Sequence, residues 1–137
     1  MANICSCVLG AALLVCVPCV AGAQSSNDDV RKRHISCAAV LGVAGTLSAD
    51  KGLQEKLSTA SMLLAVWAAD LLANQPAKAR TDQTTREFAN QVTEIGRTIK
   101  AKVGTPASTK EFEEKYGSTR KACEAWFVTE MKKRKSG

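Results

Sequence analysis

The chain is poor in the residues from which catalytic and metal sites are commonly assembled. It has one histidine, three prolines, nine glycines and only 4% aromatic residues in 137 positions. A hydrolytic triad or an ordinary zinc site would have to be built on His34 alone. No Cys-x-x-Cys is followed by the histidine that covalent haem attachment needs. Gly42-Val43-Ala44-Gly45 is not followed by the Lys-Ser/Thr of a phosphate loop. The basic clusters contain no interleaved aromatics, so a stacking platform for single-stranded nucleic acid is absent from them. Few helix breakers and no Val-Ile-Thr alternation exclude a strand-rich fold.

Charge is missing from one end altogether. Met1–Ala23 has no Lys, Arg, Asp or Glu, an apolar centre over Val8–Val20, and a small-x-small ending at Ala21-Gly22-Ala23. The polar run Gln24-Ser25-Ser26-Asn27-Asp28-Asp29 follows at once. This pattern predicts a secretory signal peptide over residues 1–23, cleaved after Ala23, and a mature domain over 24–137. A retained anchor is the rival, but the apolar centre is shorter than the roughly 20 residues a bilayer span needs. Lipidation at Cys16 or Cys19 lacks the small residues that usually precede a lipidated cysteine. Four of the six cysteines fall in the leader, leaving Cys37 and Cys123, and export into an oxidising compartment predicts a disulfide between them.

What remains is helical and basic. All charged residues lie after residue 23, so the mature domain keeps the net charge of +6. The first predicted helix starts near Ser26, capped by the Ser26/Asp29 pair, and stops at Gly45; Ala38 and Gly42 allow a close helix contact on it. The second follows Ser48 or Asp50 as cap, with Leu53, Leu57, Ala60, Leu64, Trp67 and Leu71 on one face. Because Met62–Leu72 is apolar nearly all round, this helix is expected at the centre of the fold. The third runs from Pro76 or Thr81 to Val103, with Phe88, Val92, Ile95, Ile99 and Val103 as its stripe. The fourth opens with a Ser108/Glu111 capping box, buries Phe112, Tyr116, Thr119, Cys123, Trp126 and Phe127, and ends in the basic tail 132–137. Short connections predict an all-α, single-domain, antiparallel four-helix bundle, its first and last helices joined by Cys37–Cys123.

Each chemical candidate has a plainer alternative. His34, Cys37, Cys123 and Met131 would suit a soft metal ion only if the cysteines stayed reduced; otherwise His34 is a surface residue after a basic run. Non-covalent haem would need His34 with Met62 or Met131, and packing explains those methionines better. Asp70, alone in an apolar stretch, is expected at the rim, paired with an Arg or Lys. Trp67 and Trp126 are expected in the core.

No motif names a family. The general layout is similar to that of small periplasmic immunity proteins and acid-stress chaperones, a likeness of size and order only. The resulting expectation is a non-enzymatic, periplasmic or secreted protein-interaction module without cofactor, metal or nucleic acid. Its partner would be a protein with an acidic surface, with weak anionic-membrane contact as a lesser role. The expected contact residues are Arg31, Lys32 and Arg33, together with Lys132, Lys133, Arg134 and Lys135. The alternative is a carrier of a small apolar ligand, metal or haem in the bundle core.

Overall fold

The computed structural model describes residues 21–136, with side chains from Asn27 onward. Residues 1–20, which hold most of the expected leader and its four cysteines, lie outside the described residues. The fold is all-α: α1 (Ala21–Leu47), α2 (Lys51–Asp70), α3 (Ala77–Thr98) and α4 (Pro106–Lys135). Cys37 and Cys123 are bonded, with Cα atoms 5.2 Å apart and a sequence separation of 86. Contacts along the helices fix their directions. His34 meets Trp67 while Gly45 lies against Ser58, so α1 and α2 are antiparallel. His34 meets Glu130 while Leu47 meets Thr109, so α1 and α4 are antiparallel too.

Helix ends follow local chemistry. Asp50 caps α2, its carboxylate accepting from the Leu53 N–H at 3.0 Å. The start of α4 lies earlier than a Ser108 cap would place it. Thr105 is the N-cap, Pro106 fills the first turn where its missing N–H costs nothing, and Ser108 completes a reciprocal box with Thr105. Glu111 is thereby released from capping. Its carboxylate instead accepts the N–H groups of Lys100 and Ala101 at 2.8 and 3.0 Å, pinning the α3–α4 connection. α3 ends at Thr98 rather than Val103, because Ile99 turns extended; Val103 is left 65% exposed, and Gly104 takes the positive φ (82°) that closes the turn. α1 extends through Ser26 to Ala21, and past Gly45 to Leu47.

The central helix is α1, not α2. Ala38, Ala39 and Leu41 are wholly buried, and α1 packs against all three other helices. Among the described residues α3 and α4 do not pack along one another; they meet near their shared loop, where Thr98 donates to the Tyr116 hydroxyl at 3.1 Å. The apolar residues of α2 that lie off its inner face reach solvent instead: Met62 is 63% exposed and Val66 half exposed. On α4, Thr119 also faces outward. Small residues make the α1–α2 approach close. Ser61 Oγ donates to the Ala38 carbonyl at 2.7 Å, and a Cβ on Gly42 would stand 2.9 Å from that oxygen. Gly42→Leu is therefore expected to cost about 1–3 kcal/mol in urea unfolding. Gly96→Ala, where a Cβ meets nothing within 4 Å, should be neutral or slightly stabilising.

Candidate functional site

Antiparallel packing of α1 on α4 brings the two basic clusters to one end of the bundle, beyond the disulfide. There they cover both tryptophans of the chain. The Arg33 guanidinium lies 4.0 Å from the Trp126 ring centroid, and Lys133 Nζ lies 5.3 Å from the same ring. Arg134 stands 4.5 Å from the centroid of Trp67, which stacks on Phe127 at 5.6 Å. Each such cation–π contact contributes about 0.5–1 kcal/mol when exposed, and it also orients the charge.

Between the two indoles sits His34, which its place after a basic run had suggested would lie on the surface. It is 1% exposed, with ring centroids 6.1 Å from Trp67 and 5.9 Å from Trp126. Its Nε2 lies 3.6 Å from Glu130 Oε2, too long for a firm hydrogen bond, and neither ring nitrogen has a partner among the described residues. Burial, with the charges of Arg134 and Lys133, outweighs the pull of Glu130 and holds the imidazole below its usual range, so it is neutral at pH 7. Glu130 is itself buried. That burial pushes its carboxyl up, but the 2.8 Å hydrogen bond from Lys133 and the neighbouring positive charges bring it below the usual range, and it stays ionised.

The expected contact residues divide into three kinds. Arg31 is 5% exposed and turned inward: it donates to both Glu87 carboxylate oxygens at 2.7 and 3.2 Å, tying α1 to α3. Lys32 and Lys133 are exposed but paired, with Asp28 at 2.7 Å and with Glu130 at 2.8 Å. Arg33, Lys132, Arg134 and Lys135 form no ion pair among the described residues and present free charge to solvent.

The structure also locates the chemical candidates. Both cysteines are consumed by the disulfide, so they offer His34 no thiolate partner, and no group of three His, Cys, Asp or Glu side chains among the described residues is arranged to hold a metal ion. Asp70 is at the exposed rim of α2, without an ion pair among the described residues. Two clefts of about 360 and 430 Å³ share Met62 and Ala65 along the α2–α3 side, both open to solvent. Neither Glu130 nor the burial of His34 is among the sequence-based expectations. Helical spacing carries a signal for both: His34 precedes Cys37 by three and Leu41 by seven, and Glu130 follows Cys123 by seven. No described helix is long and apolar enough to cross a membrane. No protein-family model matches the chain, and no curated protein or solved structure matches it significantly.

Proposed function

We propose that the chain is an exported, non-enzymatic protein-interaction module that binds the acidic surface of another protein, as an inhibitor, immunity protein or chaperone-like factor would. The observation that carries this reading is the convergence of Arg33, Lys132, Arg134 and Lys135 at one end of a stapled bundle, with Arg33 and Arg134 held on indole rings. Cations positioned before encounter accelerate association with an acidic partner and exclude basic ones. Cleavage after Ala23 and residence in the periplasm or outside the cell complete the reading, and the disulfide supports an oxidising compartment. A carrier of metal or haem draws less support, since the soft ligands are spent in the disulfide and the α2–α3 clefts are open.

The test is a pull-down from the native envelope with the wild-type protein and with an Arg33→Gln/Lys132→Gln/Arg134→Gln/Lys135→Gln variant. An acidic protein retained by the wild type and lost by the variant is the expected result. Equal retention by both would remove this end from the interface. Co-sedimentation of the wild type with anionic vesicles, in the absence of any retained protein, would replace the protein partner with a membrane.

A further inference from the structure

The two unpartnered nitrogens of His34 are unusual for a side chain that is 1% exposed, because an unsatisfied buried polar group costs about 1–3 kcal/mol. Such a group persists only where its surroundings hold it. Here the surroundings are Trp67 from α2 and Trp126, Glu130, Lys133 and Arg134 from α4. On α1 itself, Arg33 lies over Trp126, while Arg31 is committed to Glu87 of α3 and to Asp28. α2 places no ionisable side chain in the cage; its Asp70 is exposed at the rim.

We propose that His34 is an acid-sensitive latch: when the imidazole takes up a proton, the α4 segment Trp126–Lys135 loosens from α1 and α2, while the Cys37–Cys123 bond holds the remainder of the bundle closed. The neutral ring packs between two indoles. A charged ring there would be an imidazolium in an apolar slot beside Lys133 and Arg134, with Glu130 already engaged by Lys133. Moving the end of α4 outward hydrates the new charge and separates the cations. The disulfide sits one turn before Trp126, so opening stops there.

The direction of the pH effect follows from burial. His34 is harder to protonate in the folded protein than in the unfolded chain, where its value is near 6.5. The folded state is therefore at full strength above pH 6.5. It weakens as pH falls from 6.5 towards the folded value and loses nothing further from this group below that. Glu130, held ionised, does not change charge over the upper part of that window. The latch stands apart from the identity of any partner, so its failure leaves the interaction reading intact, and the converse holds.

Both tryptophans of the chain lie in the cage, so tryptophan emission, excited at wavelengths where Tyr116 does not absorb, reports on the cage. The experiment follows emission wavelength and acrylamide quenching of the oxidised mature protein from pH 7.5 to about 4.5, with far-UV circular dichroism alongside. Emission wavelength is the deciding readout, because a protonated imidazole can dim a neighbouring indole without any opening. The expected result is a reversible shift to longer wavelength and greater quencher access, with a midpoint below 6.5 and little loss of helix. Glu130→Gln removes the one charge that favours protonation and should lower the midpoint by up to about 1 pH unit. Arg134→Gln should raise it, and His34→Gln should abolish the transition. If His34→Gln does not fold, the opposite shifts of the other two variants decide. Emission that stays fixed over the range, a His34→Gln protein with the wild-type midpoint, or midpoints unmoved in both charge variants would overturn the latch.

Discussion

Replacing both bridging cysteines, Cys37→Ala with Cys123→Ala, is expected to lower the unfolding free energy by about 4 kcal/mol. The bond joins residues 86 apart, so it closes most of the described chain into one loop. In the chain-entropy account a loop of this length is worth roughly 4–5 kcal/mol, acting chiefly on the unfolded state. Both cysteines are also buried in the core, and truncation to Ala removes two sulfur atoms from close packing. For a domain of this size that loss amounts to a fall in melting temperature of roughly 15 °C. In urea unfolding the wild type with a thiol reductant should show the loop-closure part of this loss, and the variant, which also lacks both sulfur atoms, a somewhat larger one. A loss below about 1 kcal/mol would mean that the helices are held by packing alone and that the bridge is incidental.

Leu41→Ala is expected to cost about 3–4 kcal/mol, whereas Met62→Ala should stay within about 0.5 kcal/mol. Leu41 is fully buried on the helix that touches all three others, so truncation leaves a cavity that no single neighbour can close. Met62 is 63% exposed on the outer side of α2. The pair separates two accounts of the core. If α2 were central, as its apolar composition suggests, Met62 would be the costly position. Equilibrium unfolding of the two variants settles it, and similar losses would contradict an α1-centred core.

Much of this arrangement is legible in the sequence. Leu57, Ala60, Leu64 and Trp67 lie on the inward stripe that their spacing predicts, and Cys37 and Cys123 lie on facing stripes because both follow helical periodicity. The Ala38/Gly42 spacing marks the tight contact that Ser61 completes. Other features are hidden for identifiable reasons. Composition misplaces the centre, because small residues on α1 (Ala38, Ala39, Ala44) let neighbours approach and so matter more to burial than the larger side chains of α2. The start of α4 is displaced because Ser108 and Glu111 fit a capping pattern, while Thr105-Pro106 offers a better one a turn earlier. Arg31 and His34 depart from expectation together. In the run Arg31-Lys32-Arg33-His34 only position along the helix distinguishes inward from outward residues, and hydrophobicity, the usual guide, is silent there. Arg31 is turned inward by Glu87 of α3, and His34 is enclosed by Trp67 of α2 and Trp126 of α4, partners distant in sequence that leave no mark on the run itself.

The central functional claim is that free cations gathered on the tryptophan-bearing end of the bundle make the first contact with an acidic protein. It is tested most directly by the association rate of the captured partner, measured at several ionic strengths with the wild-type protein and with the Arg33, Lys132, Arg134 and Lys135→Gln variant. The wild-type rate should fall steeply as salt is raised, and the variant should associate about tenfold or more slowly at low salt with a much flatter dependence. Equal rates and equal salt slopes for the two proteins would contradict it.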